Sequence, residues 1–343
     1  MDSENPFITV IIPVYNEEKF IVKTLDQIYQ QDYSHDRMEV IVVDGMSTDR
    51  TGELIKDFKH KHNDLDIRLF ENPKRLSSAA RNIAIRNSKG DYCLLIDGHV
   101  HIPTNSMLSH YANAAITNDA KVIGRPQPLT PPHISNFQKA VTLARSSRLA
   151  HSPESYIYDD FSGWVSPISC AVFYHKEIFE KIGYFDENFD AAEDYEFNYR
   201  IEKEEIECYI ASNLAVNYYP RDSLSSVYRQ MFRYGHGRAM FIIKHSKRLT
   251  IDTIVPSAFV IYLLTLMSIS LIFSSSLLLW CPMILYVLLL GVEEAKFVKC
   301  LRVRDNPKIL LIPTIIFTVH VGLGLGFLEG LMRHVTSHFK GDR

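Results

Sequence analysis

The chain has 343 residues, 46% of them hydrophobic, and its 37 Lys and Arg against 40 Asp and Glu leave a formal net charge of −3. That balance argues against a basic nucleic-acid-binding protein, and the apolar content argues against disorder. Five cysteines without a CxxC pair give neither a disulfide framework nor a zinc site, and fit reduced thiols in a cytosolic setting.

Met1 to Phe7 is acidic and lacks an apolar run, so no signal peptide is expected there. Ile8 to Ile12 is a β-branched run ended by Pro13, which predicts a strand. Glu17 to Gln30 has helical spacing, with Phe20, Leu25 and Ile28 apolar. Glu39 to Val43 is a second buried-type strand, closed by Asp44-Gly45, and Ser47 or Thr48 can cap a helix from Arg50 to about His60. Ile67 to Phe70 predicts a third strand, Leu76 to Asn87 a helix, and Tyr92 to Ile96 a fourth strand. Apolar strands separated by helices predict an α/β fold, a mostly parallel sheet with helices on both faces. Ligands of such sheets sit beyond the carboxyl ends of the strands, where Pro13 to Glu17, Asp44 to Asp49 and Asp97 to His101 fall. Arg125 to Pro132 is a Pro-rich loop, Ser169 to Tyr174 a strand, and His175 to Ile182 a short helix ending at Gly183. Asp194 to Lys203 reads as helical, and Ser223 to His245 as a basic amphipathic helix.

The remainder differs in character. Thr253 to Val292 holds no Asp, Glu, Lys or Arg over 40 residues, and Ile309 to Leu328 none over 20. About 20 apolar residues span a bilayer as a helix, so three segments are expected, 253–273, 277–292 and 309–328, with Ser274 to Ser276 as a hairpin tip. A buried helical hairpin is the alternative. Lys244, Lys247 and Arg248 precede the first segment, and Lys296, Lys299, Arg302, Arg304 and Lys308 lie between the second and third, which suits the cytoplasm. Three crossings would leave Arg333, Lys340 and Arg343 on the far side, so either the tail is an exception or the third segment does not cross fully. Gly322, Gly326 and Gly330, four residues apart, favour close helix packing; backbone thinning of no consequence is the alternative.

Several residues carry chemistry. Asp44 can accept hydrogen bonds from a nucleobase or ribose, or cap a helix. Asp97 and His99, at i and i+2 of an extended segment, point to one side and can share a divalent ion, while Gly98 lets a phosphate approach; a polar turn is the alternative. His101 has the same parity and reads as a bystander. Glu193-Asp194 is either a helix cap or a general base within reach of an acceptor hydroxyl. Gln230 and Arg233 share a helix face, and a guanidinium suits a pyrophosphate; attraction to anionic lipid is compatible with that. No GxGxxG follows a strand, and no GxxxxGK[ST] or HExxH occurs.

In order, Val10-Ile11-Ile12-Pro13-Val14-Tyr15-Asn16-Glu17-Glu18, Val42-Val43-Asp44-Gly45-Met46-Ser47-Thr48-Asp49, Ala80-Arg81-Asn82, Asp97-Gly98-His99, Gly183-Tyr184-Phe185-Asp186-Glu187 and Glu193-Asp194 resemble inverting family 2 glycosyltransferases of the GT-A fold. The Asp-Gly-His variant, the Gln230 to Arg238 segment and the apolar C-terminal part are most similar to bacterial succinoglycan-type exopolysaccharide glucosyltransferases. The resemblance implies that Pro13, Tyr15, Asn16, Glu17 and Asp44 hold the nucleoside, usually uridine, with Arg81 near it or the phosphates. Asp97 and His99 would occupy the DxD position, which binds Mn2+ or Mg2+ with the diphosphate. Asp194 would be the base, with Glu193 positioning the acceptor, and Gln230 and Arg233 would match QxxRW, with Tyr234 in place of Trp. His99 stands where the family has a second Asp, and Tyr234 argues against a processive synthase.

The resemblance thus implies a cytoplasmic catalytic domain over 1–245, with a nucleotide-sugar half (1–124), an acceptor half (125–220) and an interfacial helix (222–245). A multi-pass membrane part would follow over 253–330. The implied partners are a nucleotide-sugar donor, a polyprenyl-linked saccharide acceptor and membrane lipid, with no nucleic acid. Two other readings are a polyprenyl-phosphate sugar synthase, whose phosphate nucleophile needs little general base, and an inactive membrane-anchored sugar-nucleotide-binding protein.

Overall fold

The computed structural model describes residues 5–150, 157, 160–245, 251–272, 277–300 and 306–341. The chain divides into two compact units, residues up to 132 with 155–219, and residues 133–154 with 220–343.

In the first unit, strands and helices alternate as the sequence predicts: β1 (Ile8–Val14), α1 (Ile21–Tyr29), β2 (Met38–Asp44), α2 (Thr51–Lys61), β3 (Asp66–Glu71), α3 (Ser77–Asn87) and β4 (Tyr92–Leu95). β5 (Val100–His101), α4 (Met107–Asn118) and β6 (Val122–Gly124) follow. After α5 (Asn136–Ser146), which belongs to the second unit, the first resumes with β7 (Gly163–Val165), β8 (Ala171–His175) and α6 (Lys176–Ile182). It ends with α7 (Glu193–Lys203), β9 (Cys208–Ile210) and β10 (Asn217–Tyr218). The eight-stranded sheet runs β3-β2-β1-β4-β8-β6-β9-β7, and a separate ribbon pairs β10 with β5. β3, β2, β1 and β4 are mutually parallel; β8 enters antiparallel between β4 and β6.

Successive strand residues point to opposite faces, and both faces are covered, which is why these strands are apolar throughout. Ile8, Val10, Ile12, Val40 and Val42 pack under α1, α2 and α4, while Ile11, Ile41, Val43 and Leu95 pack under α3, α6 and α7. Two local expectations change. The first helix is Ile21–Tyr29 rather than starting at Glu17, which instead opens a preceding turn, its carbonyl accepting from Phe20 N and Ile21 N, both at 2.9 Å. Neither Ser47 nor Thr48 caps α2, whose N-cap position is Arg50; the Ser47 hydroxyl is turned to Asp44.

The second unit comprises α5, α8 (Leu224–Lys244), α9 (Ile251–Ile272), α10 (Leu277–Cys300) and α11 (Ile312–Gly341). Thus α8, assigned by sequence to the same domain as the strands, groups with the apolar helices, and the units part at 219/220 rather than near 245. α5 and α8 each open with a reciprocal capping box, Ser135 with Gln138 and Ser223 with Ser226. The glycine spacing acts as expected. A Cβ at Gly326 would lie 2.0 Å from the Phe232 carbonyl oxygen, and one at Gly235 would lie 2.1 Å from that of Leu323, so α8 and α11 approach at backbone distance.

The three apolar segments fall on α9, α10 and α11. Among the described residues, however, only the helical stretch Pro307–Thr336 is long and apolar enough to cross a membrane, and the apolar part of α9, Ile254–Ser270, is shorter. The expected hairpin tip at Ser274 to Ser276 lies outside the described residues, as do Lys247, Arg248, Arg302, Arg304 and Arg343. α9 and α10 turn large apolar side chains outward, among them Leu264, Met267, Leu285 and Leu288.

Candidate active site

Strands β1 and β2 end in register, Val14 opposite Asp44, with β4 on the other side of β1, so three predicted loops gather at one end of the sheet. The loops after β1 and β2 are tied together by short polar side chains. Gly45 N donates to Val14 O (2.8 Å), Asn16 N to Ser47 Oγ (2.9 Å), and Thr48 N to Asn16 Oδ1 (2.8 Å). Asp44 Oδ1 accepts from Ser47 N (3.0 Å) and Ser47 Oγ (2.6 Å). Asn16 therefore works as a clasp between the two loops. Pro13 stays within β1 opposite Val43, and Tyr15 is exposed with the Arg75 guanidinium 5.9 Å from its ring centre.

Asp97 and His99 follow β4. A Cβ on Gly98 would lie 3.0 Å from Val14 Cγ1 and 3.1 Å from Glu17 Cγ, so a side chain here would crowd the β1 loop. Glu17, expected at the nucleoside, has its Oε1 2.7 Å from His99 Nδ1. A neutral His99 donating from Nδ1 to that carboxylate would present Nε2 as a ligand, the arrangement by which a carboxylate orients a metal-binding histidine. Among the described residues, no three His, Cys, Asp or Glu side chains form a complete metal site. Asp97 and His99 fit as two ligands of an ion that takes its other ligands from phosphate and water, as Mg2+ and similar ions do in phosphate-binding sites. His101 lies on β5 opposite Asn217, and burial, with Lys23, lowers its pKa.

Helices α3 and α7 bring the second acidic group to Arg81. Arg81 Nη1 is 2.8 Å from Glu193 Oε1, with side chains 11% and 8% exposed, and the Ser77 hydroxyl donates to the same carboxylate oxygen (2.5 Å). Burial pushes the Glu193 carboxyl up from its ordinary value, against the opposing pull of Arg81. Burial alone would lower the Arg81 pKa, but Glu193, then Asp194 and Asp97, more than reverse this. Carboxylates from two separate motifs thus act on one guanidinium. Asp194, one residue on, is exposed in the first turn of α7, and its Oδ1 accepts from Tyr195 N (2.8 Å). The pair divides its work: Glu193 is a buried anchor and Asp194 a solvent-facing carboxylate.

Sequence reasoning missed one residue within a motif it had marked. Asn82 Nδ2 donates to Phe185 O (2.9 Å) and Glu187 Oε1 (2.8 Å), and its Oδ1 accepts from Phe185 N (3.0 Å). It clamps the Gly183 to Glu187 loop that leads to α7; the signal was an amide following Arg81 on the buried face of a helix. Gln230 and Arg233 lie on α8 in the second unit, where Gln230 Nε2 donates to Tyr234 Oη (3.1 Å).

The sequence profile of glycosyl transferase family 2 matches residues 9–183. Dolichyl N-acetyl-alpha-D-glucosaminyl phosphate 3-beta-D-2,3-diacetamido-2,3-dideoxy-beta-D-glucuronosyltransferase of Methanococcus voltae is 26% identical over 329 residues, which cover 95% of this chain and 98% of that protein. Succinoglycan biosynthesis protein ExoA of Rhizobium meliloti is 29% identical over 238 residues, 69% of this chain and 70% of its own. Among solved structures, mannosyltransferase PcManGT from Pyrobaculum calidifontis, in complex with GDP-Man and Mn2+, shares the fold with a TM-score of 0.63 at 21% identity, covering 96% of this chain and 88% of that one.

Proposed function

This chain belongs to glycosyl transferase family 2, and we propose that it moves one sugar from a nucleoside diphosphate sugar, UDP-linked, to a lipid-linked saccharide with inversion at the anomeric carbon. The observation that carries this reading is Asp194, an exposed carboxylate at the start of α7, next to a buried Arg81–Glu193 pair on which Asp97 also acts. The full-length match to a relative named for a dolichyl-linked sugar phosphate supports a lipid-linked acceptor. The apolar outer surfaces of α9 and α10, with the long apolar α11, support anchoring at a membrane.

The chemistry follows from these residues. Asp194 takes the proton of the acceptor hydroxyl as that oxygen attacks the anomeric carbon from the face opposite the diphosphate. The new C–O bond forms as the old one breaks, its electron pair leaving on the diphosphate oxygen, through an oxocarbenium-like transition state. An α-linked donor so gives a β-linked product. Asp97 and His99 would hold a divalent cation, Mn2+ or Mg2+, which when bound neutralises charge on the leaving diphosphate. Glu17 keeps His99 oriented, and Glu193, fixed by Arg81 and Ser77, sets the first turn of α7.

The test is transfer by the full chain in detergent, with UDP-sugars and GDP-Man as donors and polyprenyl-linked oligosaccharides as acceptors. Mass spectrometry reads the added sugar and NMR its anomeric configuration. Asp194→Asn is expected to lower turnover by about 10²–10⁴-fold, with nucleotide affinity within a few-fold of wild type. Near wild-type turnover by that variant overturns the base role and favours a phosphate acceptor.

A further inference from the structure

Composition makes α11 the element best suited to cross a membrane, but its surface does not fit lipid. From Ile315 to Leu331 no residue of this helix is exposed. The exposed large apolar side chains of the stretch, Leu310, Met332 and Val335, lie at its two ends. Its cover comes from its own unit. Ile312, Ile315, Ile316 and Val319 cluster with Ala140, Val141 and Ala144 of α5. Further on, a Cβ at Gly322 would meet Met231 Cβ at 2.8 Å and one at Gly330 would meet Ala239 Cβ at 2.7 Å, both on α8. Those covering elements are polar on their other side. Lys139 of α5 and Arg229 and Arg233 of α8 are exposed. Near the middle of the apolar run, His320 Nε2 donates to Leu149 O (2.6 Å) in the irregular segment after α5, and Arg148 beside it is exposed. If α11 crossed the bilayer, exposed guanidiniums and non-helical backbone would lie in hydrocarbon, where both are costly.

The lipid-like surface belongs to α9 and α10. They run antiparallel: Tyr262 Oη donates to Leu279 O (2.8 Å), and the Phe259 and Tyr286 rings are 4.6 Å apart. Ile261, Leu264 and Met267 on α9 and Ile284, Leu285 and Leu288 on α10 are exposed, within 40 residues that hold no Asp, Glu, Lys or Arg. The uncharged stretch ends at Glu293, which accepts from Ser147 Oγ (2.7 Å) and from Lys296 Nζ (2.5 Å).

We propose that α9 and α10 are the helices that meet the bilayer, entering its acyl chains and returning as an antiparallel pair, and that α11 stays outside the hydrocarbon as the core helix of its unit, with both ends on one side. This rests on the membrane-anchoring part of the function proposed above, and not on its chemistry. The flanking charges agree with it. Lys244 before α9, Lys296 near the end of α10, and Lys308 and Arg333 at the two ends of the third apolar run then all fall on the same side, as basic segments retained on one side of a membrane do. They also border the apolar pair where phospholipid headgroups would sit, which favours lipid over a second copy of the chain as its occupant.

The test uses the full chain carrying Leu310→Cys or Met332→Cys, in right-side-out and inverted membrane vesicles treated with a membrane-impermeant maleimide. Mass spectrometry identifies the modified peptide, so the native cysteines do not interfere. Both positions are expected to be labelled in the same vesicle orientation. Labelling in opposite orientations, or labelling of either position only after detergent opens both kinds of vesicle, overturns the proposal. In a second measurement the purified chain is floated with vesicles of phosphatidylcholine and phosphatidylglycerol. Leu264→Glu with Leu285→Glu is expected to lower the bound fraction by about tenfold or more at an unchanged melting temperature, and Leu310→Glu to leave it as in wild type. Undiminished flotation of the double variant overturns the lipid role, and if that variant also turns a dimer into a monomer, the face joins two copies of the chain instead. If the unaltered chain does not float, the anchoring reading falls and takes this proposal with it, while the sugar-transfer assay still decides the chemistry.

Discussion

Replacing Glu193 by Gln removes one charge and almost no volume, and so isolates the electrostatics of the Arg81 pair. Glu193 is 6% exposed as a residue, and its carboxylate lies 2.8 Å from a guanidinium that is itself 11% exposed. The amide that replaces the carboxylate could still accept from Ser77, so the loss falls on Arg81. A buried pair broken on one side costs about 3–5 kcal/mol, because the remaining charge is left without its partner. The repulsion between Glu193 and Asp194 is relieved in the variant, which places the expected cost near the lower end, about 3 kcal/mol. At about 2–4 °C per kcal/mol for a unit of this size, the melting temperature should fall by about 6–12 °C. The double variant Arg81→Met with Glu193→Gln removes both charges and should recover most of that loss. Thermal unfolding followed by circular dichroism reads both. A single variant melting within about 2 °C of wild type, or a double variant no better than the single, would refute the assignment of Glu193 as a buried electrostatic anchor.

Two further outcomes follow from the same structure. Gly326→Ala puts a Cβ 2.0 Å from the Phe232 carbonyl oxygen, so α8 and α11 must separate, and a loss of about 1–3 kcal/mol is expected in detergent melting; Gly291→Ala, with nothing within 4 Å, should instead gain up to about 1 kcal/mol of helix propensity, and a common sign for both would sink the close-packing argument. The Glu187 carboxyl is held below its usual value of 4.5, first by the Asn82 amide and then by Lys74, so its contribution is present above that value and lost as pH falls through the lowered one. Denaturation midpoints between pH 6 and pH 3 should therefore fall less steeply in Asn82→Ala than in wild type, and parallel curves would exclude the clamp.

Local pattern carried much of this molecule. The continuous apolar runs at Ile8, Glu39 and Tyr92 read as doubly covered strands because a sheet buried on both faces leaves no polar alternation to mislead, and the sheet is built from them. The chemistry-bearing loops were legible for the same reason: they follow those strands directly. Strands such as β9 and β10, of three and two residues, offer too short a pattern to be found before their partners are known.

The amino-acid sequence by itself determined the α/β class, the strand ends where the polar motifs gather, the acidic pair at the start of α7 and the four-residue glycine spacing that lets α11 lie against α8. It did not determine which distant groups the motif residues hold. Asn16, Glu17 and Glu193 turned out to be tied to Thr48, His99 and Arg81, and Arg125 reaches Tyr218 across 93 residues of chain. Only the tertiary structure decided this, because periodicity records which face of a segment is buried, whereas the partner of a buried charge depends on which distant segment the packing sets beside it.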